Sequence, residues 1–273
     1  MTRMPGISFN LFSYLCSAMG NTTLKKLFLF FFALLTIQFA NAQSLVKDSA
    51  ISIPFFGIGG EYHIPGNDMA NRFGSTYGVQ AMFGIKTPRN FLYSVQGGFF
   101  FGNTIKEQGL LSGLASNTYG TIIGNDGRTP DIRLFERGYH VDAGFGKIFS
   151  FKKPNINSGI LTNVSVGFIQ HKIRIEPTGN TVFGLSKTYR KGYDRLTNGI
   201  LLHEFVGFIS FGNKRLVNFY AGFDFMQGFT QGRRDYQYDL MRADNKSRID
   251  LLYGIRAGWI LPFYTKPDKF YYY

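Results

Sequence analysis

The chain contains repeated segments in which large apolar side chains alternate with glycine or polar residues. Two examples are Tyr77–Ile85 and Asn218–Phe225, where aromatic or aliphatic residues recur at every second position. Because successive side chains of a β-strand point to opposite faces, each segment predicts a strand with one bulky apolar face and one small or polar face. A polar interior surrounded by a bulky apolar exterior requires lipid outside. The pattern therefore predicts a single, all-β, antiparallel up-and-down transmembrane β-barrel.

The composition agrees with a barrel and excludes a helical membrane protein. Aromatic residues make up 17% of the 273 residues, and 33 residues are glycine. Beyond the N-terminal region, no apolar stretch reaches the roughly 18 residues that suggest a membrane-spanning helix. The formal net charge is +13. In an exported barrel we expect such charge to meet the phosphates of outer-membrane lipids and lipopolysaccharide, and we expect no nucleic-acid partner.

The N-terminal region has the three parts of a secretory signal peptide. Lys25 and Lys26 precede a short apolar run at 27–37, and Ala40-Asn41-Ala42 forms a small-residue cleavage site. We predict that residues 1–42, a signal peptide with an N-terminal extension, are removed; a retained anchor is the alternative. We then expect a short periplasmic segment at 43–50, the barrel at 51–264 and a short tail at 265–273.

Eight strands are predicted, because turn residues separate eight alternating segments. The connections alternate between short and long. Since outer-membrane barrels have short periplasmic turns and long extracellular loops, this predicts extracellular long loops and periplasmic termini. The predicted strands are 51–63, 75–86, 91–104, 138–151, 159–174, 198–211, 216–228 and 249–263.

Ten strands are the alternative, because the connection at 106–137 is long for a plain loop. Within it, Tyr119–Ile123 and Ile132–Phe135 flank a turn signal at Asn125-Asp126-Gly127. These two segments could form an extramembrane hairpin that extends the third and fourth strands above the bilayer.

The less apolar face of each strand is assigned to the lumen and the other face to lipid. Phe205 and Ile209 are assigned to lipid on the sixth strand, although that strand has apolar residues on both faces. The predicted aromatic girdle at the membrane interfaces comprises Tyr77, Tyr93, Phe99, Phe223, Trp259 and Phe263. The predicted polar network of the lumen comprises Glu61, Gln80, Gln96, His140, Asp142, Glu204, Asp224 and Arg256.

We expect this network to fill the lumen, since eight strands leave only enough room for side chains. No cofactor, metal ion or catalytic residue is assigned. The alternative is a lipid-modifying hydrolase or acyltransferase, in which Asp142 orients His140 and Ser75 or Ser165 supplies the hydroxyl. A basic loop patch of Arg190, Lys191, Arg233 and Arg234 is expected to contact lipopolysaccharide.

The chain resembles small outer-membrane barrels of Gram-negative bacteria such as OmpX and the membrane domain of OmpA. It also resembles the PorT-like outer-membrane barrels in Gln43 after the cleavage site and in its glycine–aromatic strands. Arg133–Gly138, Lys191–Gly199 and Leu252–Trp259 are similar to one subfamily of this group. The resemblance implies handling by the β-barrel assembly machinery and a structural or adhesive role. The PorT-like likeness implies an alternative, an accessory subunit of an envelope secretion or assembly complex.

Overall fold

The computed structural model describes residues 50–116, 119–150, 155–178, 182–212 and 217–264. All of them belong to one compact unit. The predicted signal peptide, the segment at 43–49 and the tail at 265–273 lie outside these ranges. No helix among the described residues is both long and apolar enough to cross a membrane, a finding that does not concern strands.

Eight antiparallel strands pair in chain order, and the first strand also pairs with the last, which closes the barrel. The predicted eight-stranded up-and-down barrel is therefore confirmed. Among the described residues, one short helix, α1, spans Asn67–Arg72, and three 3-10 turns span Ser112–Leu114, Phe183–Leu185 and Tyr189–Gly192. The strands are β1 (Ile53–Gly66), β2 (Thr76–Lys86), β3 (Phe91–Gly102), β4 (Ile132–Ser150), β5 (Gly159–Pro177), β6 (Thr197–Ser210), β7 (Phe219–Gly232) and β8 (Ser247–Pro262).

The ten-strand alternative is wrong, because the two segments do not form a hairpin with each other. Ile132–Phe135 forms the beginning of β4 and pairs with the end of β5 from Arg174 to Pro177, so it extends an existing strand pair. Tyr119–Ile123 forms no strand. The turn signal itself is present, because Gly124 donates to the carbonyl of Arg128 and Gly127 has a φ of 74°. Glycine favours this turn because it adopts positive φ without a steric penalty.

The connections differ in length at the two ends of the barrel. At one end, β2 and β3 are joined by Thr87–Asn90, where the Thr87 amide donates to the Phe91 carbonyl at 2.8 Å and Asn90 has a φ of 61°. The links 151–158 and 211–218 lie at the same end, which we name the short-turn end. The links 67–75, 103–131, 178–196 and 233–246 lie at the opposite, long-loop end.

Side chains fill the lumen in three layers. An apolar floor cluster lies at the short-turn end, a polar belt lies in the middle, and an apolar cap cluster lies at the long-loop end. The floor cluster consists of Ile53, Phe55, Met82, Leu92, Ile148, Leu161, Phe205, Ile209, Phe211, Tyr220, Ile260 and Tyr264. The cap cluster consists of Met69, Phe73, Phe100, Leu110, Ile169, Ile173, Ile175, Val182, Leu185, Tyr193, Leu201, Met226 and Leu252.

The outer face is apolar over the same height. Ile58, Phe83, Val141, Val166 and Phe223 are all more than half exposed. Such a continuous exposed apolar surface is unfavourable in water and favourable in lipid.

Inward-facing glycines make room for the large side chains of the polar belt. A Cβ atom on Gly78 of β2 would collide with the Glu61 carboxylate, and one on Gly98 of β3 would collide with the His140 ring. Because neighbouring strands lie about 4.8 Å apart, two large side chains cannot occupy such adjacent inward positions. Some of the glycines are therefore needed to leave space for the large side chains of the polar belt.

We predict that Gly98→Ala destabilises the barrel by about 1–3 kcal/mol, because the His140 ring must move in a closely packed lumen. The matched control is Gly97→Ala, since a Cβ there faces outward and meets its nearest atom at 3.4 Å. Urea unfolding followed by the fluorescence of the single tryptophan, Trp259, measures both variants. Equal stability of the two variants would contradict the packing explanation.

Candidate functional site: a histidine–carboxylate belt in the lumen

All eight strands contribute a polar side chain to the middle layer of the lumen. Three imidazoles and three carboxylates form its centre, and each of these side chains is at most 5% exposed. The belt consists of Glu61 and His63 from β1, Gln80 from β2, Gln96 from β3, His140 and Asp142 from β4, Ser165 from β5, His203 from β6, Asp224 from β7 and Arg256 from β8.

Imidazoles and carboxylates alternate through the belt. Asp142 Oδ2 lies 2.9 Å from His140 Nδ1 and 3.3 Å from His203 Nδ1. Asp224 continues the series, with Oδ1 3.0 Å from His203 Nε2 and Oδ2 2.8 Å from His63 Nε2. At the other end, Glu61 Oε1 lies 3.8 Å from His140 Nε2, beyond hydrogen-bond distance.

Amide and guanidinium groups fix the orientation of the centre. Gln96 Nε2 donates to Asp142 Oδ1 at 2.6 Å, while Gln96 Oε1 accepts from Arg256 at 3.1 Å. Arg256 also donates to Gln80 and lies 3.1 Å from Asp224 Oδ1. Because Gln96 is bonded at both ends of its amide, its NH₂ group must face Asp142 and the nearby His203 Nδ1, 3.2 Å away.

Several buried atoms of the belt have no hydrogen-bond partner among the described residues. They are both carboxylate oxygens of Glu61, Nε2 of His140, Nδ1 of His63 and Nε of Arg256, although the last lies close to Asp224. Such buried, unpaired polar atoms are unfavourable and are uncommon in folded proteins. The belt is therefore not explained completely by the hydrogen bonds that its own side chains form.

Seven of the eight side chains assigned to the lumen from sequence lie there, and Glu204 does not. Glu204 alternates along β6 with the buried His203 and Phe205 and shares the outer face with exposed Ile200 and Val206. The assignment of Glu204 to the lumen is corrected, as is that of Phe205 and Ile209 to lipid.

The physical reason is the layered lumen. Leu201 of β6 lies in the cap cluster and Phe205 in the floor cluster, so the inward face of this strand is apolar on both sides of His203. A rule that assigns the less apolar face to the lumen therefore reverses β6. His203 is the belt residue on this reversed face, and the prediction missed it. Its only signal in the sequence was its position at the same two-residue spacing as Leu201 and Phe205.

Ser165, one of the two serines considered for a lipid-modifying enzyme, does not form a hydrogen bond to a histidine side chain. Ser165 Oγ donates to the carbonyl oxygen of His203 at 3.2 Å and accepts from Gln96. The floor and cap clusters also separate the belt from both ends of the lumen across the described residues. The His140–Asp142 pair is therefore buried between these two clusters.

The remaining predicted residues lie on the outer face and on the loops. The side chains of Tyr77, Tyr93, Phe99, Phe223, Trp259 and Phe263 are all exposed on the barrel exterior. The basic loop residues are partly engaged within the protein. Arg190 donates to the Ile175 carbonyl, Arg233 donates to Asn198, and Arg234 forms two hydrogen bonds to Asp194.

Charge pairing also shifts ionisation equilibria in the loops. The hydrogen bonds that Arg234 donates to the Asp194 carboxylate raise the pKa of Arg234. Burial opposes ionisation of Asp244, but the hydrogen bond and charge of Arg248 outweigh it and lower the pKa of that carboxyl. These pairs fix loop geometry at neutral pH, so only part of the predicted basic patch is available to an external phosphate.

The apolar exterior, the polar belt and the closed antiparallel sheet define an eight-stranded transmembrane β-barrel of the outer-membrane type. No family model and no curated protein matches the chain. Similar solved structures include Ail of Yersinia pestis, with 12% identity, a TM-score of 0.40, and coverage of 77% of this chain and 99% of Ail. Neisserial surface protein A has 12% identity and a TM-score of 0.39 over 77% and 97% of the two chains. The N-terminal β-barrel domain of Pseudomonas aeruginosa OprF has 10% identity and a TM-score of 0.34 over 77% and 97%.

These structures are small outer-membrane β-barrels, the architectural group that the sequence resembles. At these identities and TM-scores the comparisons carry no argument about function. The fold follows from the strand pairing of this chain itself.

We predict that Glu204→Leu stabilises the barrel in lipid by about 1–2 kcal/mol, because a carboxyl group in the middle of the lipid-facing band is unfavourable. The control is Val206→Leu, on the same strand and face, which replaces one apolar side chain by another. Urea unfolding in lipid vesicles measures both variants. A loss of stability in Glu204→Leu would contradict the lipid-facing placement.

Proposed function

We propose that this protein is an outer-membrane barrel without an open channel, with a structural or adhesive role exercised through a binding surface at its long-loop end. The loops would be extracellular and the termini periplasmic. The observation that supports this proposal most strongly is a continuous aromatic surface built by two long loops above a filled lumen.

The filled lumen argues against a role as an open channel. The floor and cap clusters occupy the described lumen on either side of the belt, and ion pairs hold the loops across the cap. Arg195 contacts Glu107 at 2.7 Å and Asp239 at 2.5 Å, and Arg72 contacts Glu107 at 3.3 Å. These contacts join three loops and the end of α1 over the barrel mouth.

The aromatic surface is formed by the loops β5–β6 and β7–β8. We name it the loop aromatic patch. Tyr238 lies at its centre, with ring centroids 5.2 Å from Tyr193, 5.9 Å from Tyr236 and 6.2 Å from Tyr189. The patch consists of Phe183, Tyr189, Tyr236, Tyr238 and Met241, and it packs on the buried ring of Tyr193, a member of the cap cluster.

Two members of the patch are strongly exposed. Phe183 is 68% exposed and Met241 is 73% exposed, although both lie on ordered loops. Tyrosine, methionine and arginine are the side chains enriched in protein interfaces, because they combine a large contact area with a polar group. Arg190, Lys191 and Arg234 lie in the same two loops and add positive charge. The patch therefore suits a protein partner with an acidic rim better than lipid phosphate alone.

An accessory role in an envelope complex would use the same surface, with a complex subunit as the partner. A lipid-modifying activity is not proposed, because the His140–Asp142 pair lies inside the filled lumen.

We predict that the purified protein gives no steady single-channel conductance in planar bilayers, because apolar side chains occupy the lumen above and below the belt. A known porin purified in the same detergent serves as the positive control. Reproducible ohmic steps at neutral pH would contradict a closed barrel.

We predict that a photo-crosslinking residue in place of Met241 gives a discrete protein adduct on intact cells, because this position lies at the exposed edge of the patch. The same residue in place of Ile123, exposed on another loop, is the control. Adding Phe183→Ser should reduce the Met241 adduct by tenfold or more.

Adducts of equal yield from both positions would contradict a patch-specific partner. An adduct that contains only lipopolysaccharide would replace the protein partner by lipid phosphate.

A further inference from the structure

We propose that the belt holds a divalent transition-metal ion of the zinc class, bound by His140 Nδ1, His203 Nδ1 and Asp142 Oδ2. One ligand atom from each of these three residues lies within 4.8 Å of the other two. All three side chains are buried, and they come from β4 and β6, so the closed barrel holds them in place.

The distances suit a metal ion at the centre of the three atoms. Bond lengths of about 2.0–2.1 Å with tetrahedral angles place neighbouring ligand atoms roughly 3.3 Å apart. Asp142 Oδ2 lies 2.9 Å from one imidazole nitrogen and 3.3 Å from the other. The His140 and His203 rings are nearly perpendicular, at 86°, so they approach a common point from different directions. Two imidazoles and one carboxylate are a common donor set for zinc and related ions.

The positions of the protons favour a cation over hydrogen bonds alone. The Gln96 NH₂ group faces His203 Nδ1 at 3.2 Å, so this nitrogen presents its lone pair. The same nitrogen lies 3.3 Å from Asp142 Oδ2, where a lone pair would face a carboxylate oxygen. A positive ion between the two atoms takes the lone pair of His203 Nδ1 in place of the Gln96 hydrogen bond, leaves Gln96 bonded to Asp142 Oδ1, and converts this repulsion into attraction.

The outer nitrogens of both imidazoles also fit metal binding. When Nδ1 binds a metal, Nε2 carries the proton, and ligating histidines usually donate that proton to a carboxylate or carbonyl. His203 Nε2 lies 3.0 Å from Asp224 Oδ1. His140 Nε2 faces Glu61 Oε1 at 3.8 Å, and neither atom has a hydrogen-bond partner in the part of the chain that the structure describes. A metal ion on His140 Nδ1 leaves the proton on Nε2, where it faces the unpaired carboxylate of Glu61.

Charge in the belt gives an independent argument. Glu61, Asp142 and Asp224 supply three negative charges against the single positive charge of Arg256, which leaves two uncompensated when the imidazoles are neutral. Uncompensated charge buried in a narrow lumen is strongly unfavourable. One divalent ion neutralises it without protonating any histidine.

A second group, Glu61, His63 and Asp224, also has one ligand atom from each residue within 4.8 Å. It is the weaker site, because Arg256 already contacts Asp224 at 3.1 Å and would repel a second cation. At the site of His140, Asp142 and His203, no Arg or Lys of the described residues forms an ion pair or hydrogen bond with any of the three ligand side chains, although Arg256 lies nearby on Gln96. Because the layers above and below are filled, the ion would enter before the barrel closes and exchange slowly afterwards.

The test measures metal in the intact protein. The barrel is purified from membranes without chelator, washed with EDTA and analysed by plasma mass spectrometry. A second sample is refolded with Co²⁺, whose ligand-field absorption reports its coordination. We expect about one equivalent of metal per barrel and the absorption of a four- or five-coordinate site with nitrogen and oxygen ligands.

His203→Gln and Asp142→Asn should each reduce bound metal by tenfold or more. His171→Gln is the matched control, because His171 is equally buried and bonded to a carboxylate, Asp250, at 2.9 Å outside the belt. It should keep the full metal content. Heat-modifiable gel mobility shows which variants form a barrel, and refolding of the unmodified protein with Co²⁺ decides the question if the belt variants do not fold.

Absence of metal after purification together with no Co²⁺ absorption on refolding would overturn the proposal. Equal metal content in His203→Gln and the unmodified barrel would also overturn it. Neither result depends on loop binding, so failure of the metal site is distinguishable from failure of the proposed surface function.

Discussion

Closure between β1 and β8 determines the rest of this structure. In lipid, an unpaired strand edge leaves backbone amides and carbonyls without partners, and each such group is unfavourable by several kcal/mol. The pairing of Phe55–Gly66 with Leu251–Pro262 removes that edge. Closing eight strands also sets the width of the lumen, since barrel diameter follows strand number. The interior must then be filled by side chains from the strands and from the loops at their ends.

The interior is filled by separating apolar and polar layers along the barrel axis. Apolar side chains gather at the two ends, where strand ends and loops bring them together, and the histidine–carboxylate belt lies between them. A few further ionisable groups, Lys86 beside the floor cluster and the His171–Asp250 pair beside the cap cluster, are also buried. The low-dielectric layers strengthen interactions within the belt and exclude water from it. A histidine–carboxylate cluster in this setting must be neutralised locally, by protons or by a bound cation. The chemistry proposed for the belt therefore follows from its place between two apolar layers.

The sequence was sufficient to predict the barrel because two patterns with separate causes agree. Side-chain alternation reports the difference between lipid and lumen, and link length reports the two ends of the barrel. The prediction failed for β6, because residues such as Leu201 and Phe205 make its inward face as apolar as its outward face. It also failed at Ile132–Phe135, where strand pairing continues beyond the apolar band. The convergence of His140, Asp142 and His203 was not predictable, because it depends on the stagger between strands β4 and β6.

The inward glycines show that volume in this lumen is shared between neighbouring strands. Gly78 is small because Glu61 is large, and Gly98 is small because His140 is large. A change of size at one of these positions must be matched by an opposite change on the adjacent strand. During evolution the larger side chain of such a pair can move from one strand to its neighbour while the combined side-chain volume stays constant. The relationship between such barrels would then be recorded in pairs of side-chain sizes on adjacent strands. Sequence comparisons that treat each position separately detect little of this record.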